Sequence, residues 1–244
     1  MKLAILADIH SNLEALEAAF EDLHDQSVNI IYSTGDLVGY AANPNEVIDL
    51  LIQNQVKCIM GNHDYACINL RGIDRMVSNA GKAIFYTKGV LTSGNFSFLK
   101  SLPGFIRENG IYLTHGLPPE SFDEYIDMQS KTALIRAFLS FREQVAFVGH
   151  THLFEVYELT ELGKIEKYDF PGTQLDLKPN SRYMISAGSV GQPRQDNRES
   201  GYLIYDTDNH QVTRRIIQYP VELTIQKIIA AGLPEKNGTR LLKE

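Results

Sequence analysis

Lys2-Leu3-Ala4-Ile5-Leu6-Ala7-Asp8-Ile9-His10-Ser11-Asn12-Leu13-Glu14 is the stretch on which the fold turns. Lys2 to Ala7 is mostly apolar, bounded and too brief for a helix, so it predicts a buried strand. Helix signals follow at once. Ser11 to Glu14 has the S-x-x-E form of a capping box, and Leu13, Leu16, Phe20 and Leu23 recur on one helical face. Asp8 and His10 therefore fall between a strand and a helix, at a strand's carboxyl end, where open α/β sheets bind their ligands.

The same alternation continues along the chain. Asn29 to Thr34 reads as a strand ending at Gly35-Asp36. Asn43-Pro44-Asn45-Glu46 supplies an N-cap, a proline at the first helical position and a Glu three residues past the cap. Val56 to Met60 is a third strand, running into Gly61-Asn62-His63-Asp64. Strand and helix in turn predict a parallel sheet built from crossover units. Tyr65 to Leu102 has no strand signal and reads as a helical insertion placed to roof a site. Asn109-Gly110 marks a hairpin whose second strand ends at His115. Gln129 to Phe141 reads as a helix, and Val145 to Val148 as a strand ending at Gly149-His150-Thr151-His152. Strands then dominate: Leu153 to Leu159, Lys164 to Tyr168, Arg182 to Ser186, Gly201 to Tyr205 and Val212 to Gln218. Val221 to Ala230 closes the chain as a helix, followed by a polar tail. With 244 residues and no obvious linker, the expectation is one domain over 1–244 with the insertion at 65–102 inside it.

Composition bounds the function. The formal net charge of −7 argues against extended nucleic-acid binding through phosphate neutralisation. Cys58 and Cys67 form no C-x-x-C pair, which removes both a disulfide framework and a thiolate zinc site. No apolar run reaches the length of a membrane span, so the expected setting is the cytoplasm and no membrane partner is expected. A homo-oligomer is compatible with the chain.

Five of the seven histidines fall into the clusters Asp8-Ile9-His10, Gly61-Asn62-His63-Asp64, His115 and His150-Thr151-His152, with Gly35-Asp36 as a further carboxylate. His24 and His210 read as surface residues. On extended backbone, residues two apart point the same way, so each D-x-H or H-x-H pair can aim two ligand atoms at one place. Imidazole with carboxylate suits Mn, Fe, Zn, Ni or Co better than Ca. More donors are present than one ion needs, which favours two ions. Two carboxylates against two divalent cations leave a positive site suited to a phosphate anion.

The ordered set D-x-H, G-D, G-N-H-D, H and G-H-T-H, spanning residues 8 to 152, resembles the calcineurin-like metallophosphoesterases at every element. The resemblance implies a four-layer α/β/β/α sandwich of two mixed sheets. It further implies that Asp8, His10 and His152 bind one ion, that Asn62, His115 and His150 bind the other, and that Asp36 bridges them. Mn heads the candidate metals. His63 would act on the leaving oxygen and Asp64 would hold its imidazole in orientation. Gly35 to Tyr40 and Gly188 to Arg194 are similar to a small prokaryotic branch of phosphodiesterases and diadenosine-tetraphosphatase relatives, with departures at Ala41 and Ser186-Ala187.

Gly188 to Arg194 reads either as a glycine-rich turn or as the carrier of Arg194 toward a substrate phosphate. Tyr65 and Cys67 read as core packing. The expected activity is hydrolysis of a phosphodiester or phosphomonoester of a small phosphorylated substrate by a metal-bridging hydroxide. The alternatives are a protein Ser/Thr phosphatase, a dinucleoside polyphosphate hydrolase, and a non-catalytic metal-binding scaffold.

Overall fold

The computed structural model describes residues 1–195 and 197–242. In chain order the elements are β1 (Lys2–Leu6), α1 (Leu13–His24), β2 (Ile30–Ser33), α2 (Pro44–Gln53), β3 (Lys57–Cys58), α3 (Asn62–Asn69), α4 (Ser78–Val90) and α5 (Ser93–Ser101). The hairpin β4 (Phe105–Glu108) and β5 (Ile111–Thr114) follows, then α6 (Lys131–Leu139), β6 (Val145–Val148), β7 (Phe154–Leu159), β8 (Ile165–Asp169) and β9 (Gln174–Asp176). The chain ends with β10 (Arg182–Ala187), β11 (Gly201–Asp206), β12 (Gln211–Ile216), α7 (Val221–Ala230) and α8 (Glu235–Thr239).

Two six-stranded sheets result, in the orders β3-β2-β1-β11-β12-β9 and β4-β5-β6-β10-β7-β8. Each is mixed rather than wholly parallel. β1 runs parallel to β2 but antiparallel to β11, and β10 runs parallel to β6 but antiparallel to β7. The crossover units read from the first strands hold for β1, β2 and β3, which pair in parallel, while β11 and β12 extend the sheet antiparallel.

Three apolar layers explain the stacking. Leu3, Ile5 and Leu203 of the first sheet meet Leu113, Phe147 and Ile185 of the second. The outer face of the first sheet, with Ala4, Leu6 and Tyr202, packs on Leu16, Val47 and Ile48 of α1 and α2. The outer face of the second, with Tyr112, Ala146 and Met184, packs on Phe138 of α6. Helix, sheet, sheet and helix form the four-layer α/β/β/α sandwich, since each sheet buries side chains on both faces.

Local expectations are corrected at several points. The N-cap of α1 is Asn12, whose side chain accepts from the Ala15 N–H at 3.2 Å, and not Ser11. Ser11 accepts instead from the Gly39 N–H, and Glu14 turns to Thr224 and Lys227 on α7. β3 contracts to two residues, β9 is an extra three-residue edge strand, and the polar tail contains α8. The hairpin turn is as expected, with Asn109 and Gly110 both at positive φ. Ile84 of α4 and Leu99 of α5 join the same apolar cluster as α1 and α2, so 65–102 shares a core with the first sheet's outer face.

Candidate metal centre

Asp8, Asp36, His115 and His150 lie within three residues of the ends of β1, β2, β5 and β6, His152 sits in the loop between β6 and β7, and Asn62 opens α3 after β3. The loops hold unusual backbone. Asp8, His10, Asp36, His150 and His152 all have positive φ, between 49° and 69°. Non-glycine residues adopt that region only when their surroundings hold them there, and such strain gathers at functional sites. The bracing is visible. The Asp8 carbonyl accepts from Ser189 Oγ at 2.8 Å and from the Gly191 N–H at 3.0 Å, so the Gly188–Arg194 turn sits on the end of β1. Thr151 and Ser186 share a hydroxyl hydrogen bond of 2.7 Å, which ties the H-T-H loop to β10. Gly61 lets two loops meet, because a Cβ there would stand 2.2 Å from Asp36 Oδ1.

Two buried donor clusters result, Asp8 with His10, Asp36 and His152, and Asp36 with His115 and His150. Within each, the ligand atoms lie within 4.8 Å of one another. Asp36 is common to both. Its Oδ2 lies 3.6 Å from His10 Nε2 and 3.4 Å from His115 Nε2, while Oδ1 accepts the His63 N–H at 2.8 Å. Asn62 Oδ1 stands 3.1 Å from His115 Nε2, at the edge of the second cluster. His150 and His152 do not aim at one place, as their spacing on extended backbone implies; each serves a different cluster, and neither is extended.

The donor chemistry fits divalent cations. The Nδ1 of His10, His115 and His152 donate to the carbonyls of Val38, Thr34 and Gln192. A carbonyl only accepts, so in each neutral ring Nε2 keeps a bare lone pair turned inward. His150 Nε2 is buried with no protein partner. With protein charges alone, burial pushes Asp8 up to about 8 and lowers His150 to about 3. Burial also opposes charge on His115, yet the carboxylate and hydrogen bond of Asp36 carry that ring to about 9. Burial likewise works against Asp36, and His115 and His63 hold it well below the usual carboxylate range. Asp8 and His115 are thus drawn toward protonation while the His150 ring is kept neutral, and the inward atoms are the acceptors a cation takes.

His63 and Asp64 are separated in role. The His63 ring packs 4.6 Å from the His10 ring and 4.8 Å from that of Tyr40, and its buried Nδ1 meets no protein partner. Asp64 does not hold that imidazole. Its Oδ1 accepts the N–H groups of Leu37 and Val38 at 3.0 and 3.2 Å, and its Oδ2 that of Gly61 at 3.0 Å. With both oxygens occupied by main chain, it fastens the loop after β2 to the start of α3.

Above the clusters lies a cavity of roughly 770 Å³. Asp36, Asn62, His63, His150 and His152 line its floor, and Arg71, Gly72, residues 74–77, Phe122 and Tyr125 line it from other segments. Arg194 lines it too. Burial works against the Arg194 charge, but the Tyr40 and Tyr125 phenols and Asp8 hold it above the ordinary guanidinium range. Tyr65 also faces the cavity, stacked 5.4 Å from Phe122, in place of the core role read for it; Cys67 is in the core as expected. Tyr125, whose ring stacks 3.7 Å from His150, and Arg240 were not singled out from the sequence. Neither belongs to a ligand-type motif.

The chain belongs to the calcineurin-like phosphoesterase superfamily, whose domain model matches residues 1–210. A metallophosphoesterase from Sphaerobacter thermophilus is similar in structure, with 32% identity, a TM-score of 0.84, and coverage of 100% of this chain and 99% of that one. An uncharacterized protein of Methanocaldococcus jannaschii is 32% identical over 98% of this chain and 96% of its own. A hypothetical protein from Pyrococcus horikoshii shares the fold at a TM-score of 0.79 and 21% identity, covering 99% of this chain and 98% of that one. Among the described residues no helix is long and apolar enough to cross a membrane.

Proposed function

We propose that this protein is a metal-dependent phosphoesterase that hydrolyses a phosphodiester or phosphomonoester of a small substrate. The observation that carries the reading is Asp36, one carboxylate shared by two buried imidazole clusters at the floor of a cavity. Asp8, His10 and His152 would hold one divalent ion, Asn62, His115 and His150 the other, and Asp36 both. Such a pair, with Mn foremost and Fe, Zn, Ni or Co also suited to the donors, would supply an activated water and polarise the phosphoryl oxygens.

The chain's own groups supply the rest. Arg194 presents a forked donor to the substrate phosphate from the cavity wall. His63, lowered to about 4 mainly by burial, stays neutral and keeps one N–H to donate toward the leaving oxygen. Arg71, Gly72 and residues 74–77, with Phe122 and Tyr125, act as a lid that limits water and favours a small molecule over a phosphoprotein. The free thiols of Cys58 and Cys67 suit a reducing compartment, and we assign the protein to the cytoplasm on that ground.

The test is metal analysis of the purified protein together with Mn-supported hydrolysis of bis-p-nitrophenyl phosphate and p-nitrophenyl phosphate. About two ions per chain and turnover of either ester are expected. Full activity retained in both Asp36→Asn and His63→Ala sinks the reading.

A further inference from the structure

Arg240 enters the cavity from a part of the chain that lies beyond the family match. The packing of α7 and α8 brings it there. Leu233 and Leu241 are buried with Ala41, and the buried Asn237 donates from Nδ2 to the Tyr40 carbonyl at 3.1 Å. The Arg240 guanidinium then lies 5.7 Å from the centre of the Tyr40 ring. Tyr40 also packs against His10 and His63, so one ring is the common neighbour of Arg240 and the metal-site histidines.

Arg194 and Arg198 stand beside it. Arg198 donates to the Arg194 carbonyl at 3.1 Å, and the Nε atoms of both are buried without a partner. Among the described residues, the arginine–carboxylate pairs are Arg75 with Asp123, Arg107 with Glu143 and Arg215 with Asp22. None involves this trio. Burial lowers Arg240 from its usual range, and the charges of Arg194 and Arg198 reinforce that against the opposing Tyr40. Arg194 is influenced by Asp8, whereas the dominant influences on Arg240 include no buried carboxylate. Arg240 reaches the cavity over the Tyr40 ring, and that ring in turn packs on His10 and His63. Guanidinium groups brought together in a partly buried setting repel one another, and an anion relieves the cost.

We propose that Arg240, next to Arg194, forms a second phosphate subsite, so that the substrate carries a further phosphoryl group beside the ester that is cleaved. The substrate class is then a diphosphate-type or bisphosphorylated molecule rather than a simple monoester. This rests on the phosphoesterase reading, and its test can fail separately. The Mn-loaded full chain is titrated calorimetrically with inorganic phosphate and with pyrophosphate, as wild type, Arg240→Gln and Arg240→Lys. Wild type is expected to bind pyrophosphate at least about tenfold tighter than phosphate. Arg240→Gln removes most of that preference while phosphate affinity stays, and Arg240→Lys, which keeps the charge without the fork, retains part of it. Chelation of Mn by pyrophosphate affects all three proteins alike. Unchanged pyrophosphate affinity in Arg240→Gln overturns the subsite, as does loss of both affinities together. The titration needs no turnover. Preference for pyrophosphate through Arg240 in a protein that hydrolyses no ester overturns the phosphoesterase reading and leaves the subsite standing.

Discussion

The Nε2 atoms of His10 and His152 face each other at 3.2 Å, although the Nδ1 of each ring donates to a main-chain carbonyl. Two neutral imidazoles so fixed turn lone pair toward lone pair. Only a proton or a cation between them makes the arrangement favourable, and Asp8 Oδ1 at 3.3 Å from His152 Nε2 adds a negative charge to the same space. Burial and neighbouring positive charge drive both rings well below the usual histidine range, so a proton is the poorer choice.

His10→Ala and His152→Ala are therefore expected to lower metal content from about two ions per chain toward one. Ester hydrolysis should fall at least about 100-fold in each, more than loss of an outer hydrogen-bond partner causes. Metal analysis beside kcat checks this. Chelation of the wild type should also lower its melting temperature. With free ion about 1,000-fold above its dissociation constant, the ion contributes about 4 kcal/mol, on the order of 10 °C for a chain this size. Two variants that keep full metal content would refute the assignment.

Asp64→Asn separates a fastening role from an orienting one. The carboxylate accepts three buried N–H groups, and an amide would turn a donor toward at least one of them. The expected cost is about 2–3 kcal/mol in urea unfolding, with activity falling in step with the folded fraction. A variant of wild-type stability whose kcat alone collapses would restore Asp64 as the partner of the His63 ring.

The candidate ligands were legible because each announces itself locally. Asp8, Asp36, His115 and His150 follow short apolar strands, and a strand's carboxyl end is where such sheets place ligands. What escaped depends on approach in space. His150 and His152 join different clusters, which the H-x-H spacing does not reveal. Asp64 reaches Leu37 and Val38 only because the loop after β2 lies on the start of α3. Arg240 follows a five-residue helix anchored by Leu233 and Leu241, too far apart to form a periodic signal. β9 is a three-residue edge with a single buried side chain, Leu175.

Gly39→Ala should disturb His63 without touching a metal ligand. A Cβ at residue 39 would lie 2.3 Å from His63 Nδ1, and φ of +103° is already a glycine conformation. The ring must move, since the backbone around it is fixed by Asp64. Expected outcomes are a kcat loss of about 10- to 100-fold, in keeping with a displaced acid–base group, and a metal content of about two ions. Unaltered kcat in a folded Gly39→Ala protein removes His63 from the reaction.

Asp22 couples pH to stability at a place remote from the metal centre. It joins α1 to the first sheet, accepting from Tyr202 Oη at 2.6 Å and from Arg215 Nε at 2.9 Å. The Arg215 hydrogen bond is the largest influence and holds the carboxyl below the usual 3.8. A folded-state value below the unfolded one means that the unfolded chain binds more protons in the interval between them, so stability rises with pH there. The contribution is fully present above about 3.8 and disappears as pH falls through the folded value. Because Asp22 is 24% and Arg215 34% exposed, solvent screening limits it to about 1 kcal/mol. Asp22→Asn should therefore unfold at lower urea than wild type at pH 7, with the two curves converging as pH falls below 3.8 through the folded value of Asp22. A gap of constant size from pH 7 to pH 2 would assign the loss to packing of α1 rather than to the charge on Asp22.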